Sequence, residues 1–306
     1  MTWDSSLSSE AGPYKVLMKR GVFTDAARGD REIPFKFYAP VDHDLDRYPL
    51  ILWSHGFGGN ADGAGFISRY LASYGYAIAH LTHRGTDSSL WEGKPGHPWD
   101  ILRQVKIPRE MTFDRMRDVP FFLNQLPDWV AEQPEFAPFV DFSRVGMSGH
   151  SFGAMTTQVM AGMPLPDREG NLIDMRDERF RAGILYSPVP IAHLSQLPPA
   201  ELYGRMAIPL FHMTGTDDAS PLEPVGYEHR LVVHEHAGHP EQYLKILQDG
   251  DHMVYNGTRG KLSANPKREE HEQLIKIASL AFWDAYLKDD ARAKAWLAEM
   301  YAIRAR

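Results

Sequence analysis

The chain has no cysteine. That one absence excludes disulfides, zinc–thiolate sites, iron–sulfur clusters and a cysteine nucleophile together. Long apolar runs are lacking too, and nothing approaches the ~20 apolar residues of a membrane span. The opening segment carries Ser5, Ser6, Ser8, Ser9 and Glu10 and holds no apolar stretch of signal-peptide length. The expectation is a soluble, cytoplasmic protein; a signal removed beforehand would leave no trace. Positive charge is in deficit, with 33 Lys and Arg against 40 Asp and Glu, a formal charge of −7. This argues against nucleic-acid or anionic-membrane partners, which want clustered cations, and leaves small neutral substrates open. There is no H-E-x-x-H, no phosphate-binding G-x-x-x-x-G-K and no S-x-x-K, and no internal repeat.

What is present is an ordinary globular composition, 43% apolar and 24% charged over 306 residues. An α/β sheet of this length often forms one unit, so a single domain over 1–306 is expected. Residues 16–23 and 33–38 predict an N-terminal antiparallel hairpin. The continuous apolar run 49–53 predicts a strand buried on both faces, 76–81 predicts another buried strand, and a helix is expected over 66–74 between them. A helix is expected over 114–130, started afresh or kinked at Pro120. Further strands are expected at 144–147, 181–186, 209–213 and 242–247, with a helix at 152–162. Near the chain's end Leu274, Ile277, Ala278, Ala281, Phe282, Ala285 and Tyr286 share a helical face, and a second amphipathic stretch carries Trp296, Leu297 and Met300. Strands alternating with helices predict a mostly parallel α/β sheet covered on both faces.

The chemistry starts at Gly149, His150, Ser151, Phe152 and Gly153, the only G-x-S-x-G in the chain. Its two glycines permit a sharp strand-to-helix turn that raises the serine hydroxyl into the open and aims the Phe152 N–H at a developing oxyanion. By itself the pattern is weak; the apolar strand before it and the helix former after it supply the required context. The loop His55, Gly56, Phe57, Gly58, Gly59 follows a buried strand and offers a second N–H, that of Phe57, to the same oxyanion. The same loop fits a G-x-G-x-x-A dinucleotide pattern. That reading wants an acidic residue ending the next strand, where Ala79, His80 and Leu81 stand instead.

A serine needs a base, and the base needs a carboxylate to orient it. Thr214 to Asp218 ends a parallel-type strand, where sites in such sheets collect. Asp218 is preferred as the acid, with Pro221 closing the turn, and Asp217 is the alternative. His252 follows the last strand on a glycine-containing loop and is the candidate base. His234 and His236 would share one face if they lay on a strand, a weak metal pattern whose plainer reading is a polar surface segment. Loop insertions 82–110 and 188–208 are expected to roof the site, with Trp91 and Trp99 as pocket aromatics.

With these segments in hand, the sequence resembles the α/β-hydrolase superfamily. Within it, it is similar to the dienelactone-hydrolase-like and platelet-activating-factor-acetylhydrolase-like serine esterases. Residues 54–59 resemble their oxyanion loop, 71–76 and 82–86 the following helix and strand end, 117–126 the helix before the elbow, and 148–154 the elbow. Residues 213–218 and 250–253 resemble the acid and histidine segments. The likeness runs from about Tyr38 to Tyr286. It implies an α/β-hydrolase fold and a Ser151–His252–Asp218 triad without metal or organic cofactor. Without a cysteine nucleophile, ordinary ester hydrolysis is expected rather than dienelactone hydrolysis. The substrate would be a small-molecule or polymeric ester. The competing expectations are an acyltransferase or perhydrolase on the same triad, and a non-catalytic binding module. Oligomeric state is left open.

Overall fold

The structure is a computed structural model that describes residues 3, 8–195, 197–220, 222, 226–257 and 264–301. Its centre is an eight-stranded sheet. In chain order the strands are β1 (Lys15–Asp25), β2 (Arg31–Val41), β3 (Tyr48–Ser54), β4 (Ala77–Leu81), β5 (Val140–His150), β6 (Phe180–Tyr186), β7 (Leu210–Asp217) and β8 (Gln242–Asp251). Across the sheet they run β1-β2-β4-β3-β5-β6-β7-β8. β1 and β2 form the antiparallel hairpin, with Lys15 opposite Val41, and β2 meets β4 antiparallel. All pairs from β4 through β3, β5, β6 and β7 to β8 are parallel. The central strands read as unbroken apolar runs because both faces are covered; every residue of β3 and β4 is buried.

The helices are α1 (Gly65–Ser73), α2 (Pro98–Leu102), α3 (Arg109–Ala131), α4 (Phe152–Met160), α5 (Ala192–Ser195), α6 (Pro199–Tyr203), α7 (Tyr227–Glu235), α8 (Arg268–Leu287) and α9 (Ala291–Met300). A two-residue ribbon pairs Leu165–Pro166 with Leu172–Ile173. One core lies between the sheet and α3 and α4, around Met116, Phe122, Leu126, Ala154 and Val159. The other lies under α1, α8 and α9, around Ile67, Leu71, Phe282, Trp283 and Leu297. Close approach fixes Gly146 on β5: a Cβ there would stand 2.4 Å from the Trp283 ring. Among the described residues, no helix is long and apolar enough to cross a membrane.

Three local details differ from what the sequence allowed. Pro120 does not restart the helix; α3 runs through both Pro120 and Pro127. An internal proline costs ~3 kcal/mol, and burial of Met116, Val119, Phe122, Leu123, Leu126 and Val130 outweighs it. His234 and His236 do not share a strand. His234 lies in α7 and His236 caps that helix, with the His234 ring packed edge-on against His212 at 5.0 Å. The stretch 82–110 is not wholly irregular, since it holds a 3₁₀ turn at Ser88–Leu90, α2 and the start of α3.

Candidate active site

Four parallel strands deliver their C-terminal ends to one region, as the topology of such sheets requires. β5 ends at the elbow. Ser151 sits between strand and helix at φ 56°, ψ −116°, a strained conformation for a residue with a Cβ. The turn closes so tightly that a Cβ on Gly153 would lie 1.8 Å from the Ser54 carbonyl oxygen and one on Gly149 2.3 Å from that of Gly153. The glycines are therefore dictated by backbone-on-backbone contact. The Ser151 N–H is tied to the Tyr186 carbonyl at 2.9 Å, while its hydroxyl makes no hydrogen bond among the described residues. Phe152 opens α4, so its N–H has no intrahelical partner. The Phe57 N–H has none among the described residues either, and the two rings meet edge-on at 6.4 Å.

Asp218 and His252 come together. Asp218 is wholly buried; its Oδ1 lies 2.6 Å from His252 Nδ1 and 2.9 Å from the Ser187 hydroxyl, and its Oδ2 accepts from Thr214 at 2.8 Å. The Arg230 Nε approaches Oδ1 at 3.3 Å. Burial pushes this carboxyl up, but His252, Arg230 and Thr214 together hold it below the usual carboxylate range. As an anion it accepts only, so the proton of that hydrogen bond sits on His252 Nδ1, which leaves Nε2 as the ring nitrogen free to serve as base. The Ser187 hydroxyl also lies 3.0 Å from that Nδ1. The His150 Nε2–H donates to the His252 carbonyl at 2.7 Å, which anchors the histidine loop on the elbow strand. Asp217 is exposed at the end of β7, beside Asp249 and Asp251, and makes no contact with His252. Pro221 lies outside the described residues.

Ser151 and His252 line one cavity of about 170 Å³ together with Phe57. Trp91 and Trp99 line it too, as do Ser88, Pro98 and Leu102 of the 82–110 stretch. No described residue of 188–208 does. That segment is stitched elsewhere: Gln158 of α4 clasps both backbone groups of Val189, and the Tyr203 hydroxyl accepts from the Ile191 and Ala192 N–H groups. Ser220, Leu222, Met253 and Asn256 wall the cavity in its place. Among the described residues, no side chain with an ionisable group other than His150 and His252 faces it.

Several residues here carried no motif. Ser187, one residue beyond β6, was detectable in principle as a hydroxyl at a parallel strand's C-terminal end. Thr214 was detectable as the residue four before Asp218. Arg230 had no signal, because α7 is short and mostly polar.

Burial sets a further property of the protein. His80, His150 and His212 are pushed down to about 3, and His83 to about 4, chiefly by desolvation. The unfolded chain binds these protons near pH 6.5 and the folded chain does not, so stability is intact above that pH and declines as pH falls towards 4. The urea midpoint is expected to drop between pH 7 and pH 4.5; a constant midpoint across that window would contradict the burial of neutral imidazoles.

Comparison with known proteins bears on the fold and on the proteins this chain resembles. The family model for platelet-activating factor acetylhydrolase, isoform II, matches residues 5–92. A cold-adapted esterase from an Arctic intertidal metagenomic library, solved with polyethylene glycol bound, superposes with a TM-score of 0.56 at 16% identity, covering 94% of this chain and all of that one. The chain has the α/β-hydrolase fold. Among curated proteins it is 22% identical over 303 residues to platelet-activating factor acetylhydrolase of Cavia porcellus, covering 88% of this chain and 64% of that protein. The protein of the same name from Canis lupus familiaris is 26% identical over 193 residues, covering 54% of this chain and 39% of the relative. The chain thus spans less than two thirds of the length of these relatives.

Proposed function

We propose that the protein is a serine carboxylesterase-like hydrolase, with Ser151 as nucleophile, His252 as general base and then general acid, and Asp218 as the carboxylate that orients His252. The observation that carries this reading is the convergence of a hydroxyl on a strained glycine turn with an imidazole whose Nδ1 is held 2.6 Å from a buried carboxylate, both lining one cavity. The relatives support it by name: they are acetylhydrolases, and the structural neighbour is an esterase, so the chemistry common to them is ester cleavage.

The steps follow from the protonation states. His252 Nε2 takes the Ser151 proton as Oγ attacks the ester carbonyl. The imidazolium that forms is stabilised by Asp218, which stays ionised. The N–H groups of Phe57 and Phe152 hold the tetrahedral oxyanion, each worth roughly 3 kcal/mol of barrier. Collapse expels the alcohol, protonated by His252, and leaves Ser151 acylated. Water then attacks the acyl-enzyme with His252 again as base. A cavity whose described lining carries no Asp, Glu, Lys or Arg fits an uncharged ester better than an ionic one. The indoles of Trp91 and Trp99 give it flat apolar walls.

The test is covalent labelling with a fluorophosphonate alongside a p-nitrophenyl ester panel of graded acyl length. One adduct per chain is expected, mapping to Ser151, with turnover lost in step with labelling. A pure, folded protein that gives neither adduct nor turnover would leave only a binding module on this fold.

A further inference from the structure

The mechanism above makes no use of Arg115, yet this guanidinium is completely buried in α3. Burying a cation is costly unless its N–H groups are satisfied. Arg115 Nε donates to Thr156 Oγ1 at 2.9 Å, Nη1 to Thr86 Oγ1 at 2.8 Å, and Nη2 to Ser54 Oγ at 2.8 Å and to the His55 carbonyl. Its Cζ also lies 4.4 Å from the centroid of the Phe152 ring. Ser54 and His55 lead into Phe57, and Thr156 lies one helical turn after Phe152. One planar group therefore ties together the two segments that carry the unpaired N–H groups of the cavity.

We propose that Arg115 is a positioning residue that sets the separation of the two oxyanion donors and places a fixed positive charge beside them. This rests on the reading of Phe57 and Phe152 as those donors. The backbone around Phe57 is accounted for group by group. The His55 carbonyl is held by Arg115. The Gly56 carbonyl accepts from His55 Nδ1 at 2.6 Å and from the Gly59 N–H at 3.0 Å. The Gly58 N–H donates to the Thr86 carbonyl at 2.9 Å, and the Gly58 carbonyl accepts from the Trp91 indole at 2.7 Å. Among the described residues the Phe57 N–H is left without a hydrogen-bond partner, as are the Gly56 N–H and the Phe57 carbonyl, and Phe57 itself lines the cavity beside Ser151.

Arg115 is anchored in turn. The Ser54 hydroxyl donates to His83 Nε2 at 3.0 Å, and His83 Nδ1 donates to Asp118 Oδ2 at 3.0 Å. Asp118 is clamped by Arg28 and Arg31. Ser54, His83 and Asp118 thus repeat the hydroxyl–imidazole–carboxylate order of the active site. Ser54 is buried and its oxygen is occupied by Arg115, so this relay holds position and performs no chemistry. Burial lowers the Arg115 guanidinium to about 9, against the opposing pull of Asp118, which leaves it charged at neutral pH. Charge fixed before the reaction needs no reorganisation when the oxyanion forms.

The experiment compares wild type, Arg115→Met and Arg115→Lys, with active sites counted by fluorophosphonate. In Arg115→Met, kcat per labelled site is expected to fall about 100-fold, the loss typical of a displaced oxyanion donor. KM should stay within threefold, and affinity for a boronic acid that forms a tetrahedral adduct should fall in parallel with kcat/KM. Arg115→Lys keeps the charge without the fork, so about a tenfold loss is expected. It carries the test if the methionine variant fails to fold. A merely structural arginine would lower the melting temperature and the number of labelled sites but leave kcat per site and boronate affinity unchanged. That result overturns the proposal. An active wild type with unaffected variants ends this proposal alone; a wild type without turnover ends the functional reading and this proposal with it.

Discussion

Ser151→Ala is expected to fold like wild type and to lose about 10⁶-fold in kcat, the scale on which removal of a triad nucleophile acts. The two halves of this expectation have separate grounds. The Ser151 hydroxyl makes no hydrogen bond among the described residues, so its removal orphans no buried partner there. What the turn depends on is the backbone: the Ser151 N–H bond to Tyr186 and the contacts of Gly149 and Gly153. Alanine keeps the N–H and meets the same strain at φ 56°. The melting temperature should therefore move by no more than about 2 °C, since a surface-type change without a lost contact stays within about 0.5 kcal/mol. The chemistry, by contrast, loses its only covalent participant. Residual catalysis comes from whatever the two N–H donors and ground-state binding supply to a water attack. Turnover of p-nitrophenyl acetate and a thermal melt decide the matter. A variant that retains more than a few per cent of wild-type kcat would show that the nucleophile is another residue.

Ser151 was readable in sequence because the elbow is local: strand, glycine, serine, glycine and helix lie within a dozen residues, and each has its own chain-level signal. The buried strands were readable for a similar reason, since β3 is apolar from Tyr48 to Trp53 and β4 apart from His80. Where tertiary contact decides, the sequence misled. The start of α3 and its passage through Pro120 depend on the core beneath it, which local propensity does not encode. The segment 188–208 looks like a roof by composition. It is held to α4 by Gln158, 31 residues from its partner Val189, and closed on itself by the Tyr203 hydroxyl at the Ile191 and Ala192 N–H groups.

Arg115 and Asp118 stand between these cases. They fall on the same helical face as Val119, Phe122 and Leu126, all buried. A cation and an anion on the apolar stripe of a helix are the visible trace of an internal polar network, because charged residues are almost never buried unpaired. The spacing was available in the sequence; the partners were not. Ser54, His55, His83, Thr86 and Thr156 come from three other segments and meet only in the fold.

The choice between Asp217 and Asp218 also lay beyond sequence, and it leads to the second large expectation. β7 extends through Asp217, which faces solvent, and the Asp218 N–H then bonds back to the Gly215 carbonyl at 2.9 Å. That turn carries the Asp218 carboxylate inward to His252. Asp218→Asn should lower kcat about 10⁴-fold, the size of the effect when a triad carboxylate becomes an amide and the imidazole loses its productive tautomer. The same substitution leaves the buried Arg230 guanidinium beside a neutral group, and breaking a buried pair from one side costs ~3–5 kcal/mol. A clear fall in melting temperature should therefore accompany the loss of turnover. The sign of the pH dependence follows from the lowered carboxyl: the stability it contributes is present above pH ~3.9 and is lost as pH falls below that. The gap in stability between wild type and Asp218→Asn should accordingly narrow in acid. Asp217→Asn, at an exposed position without contact to His252, should leave both kcat and stability within experimental error. If Asp217→Asn instead silenced the enzyme while Asp218→Asn remained active, the carboxylate at 2.6 Å from His252 would not be the one that orients it during turnover.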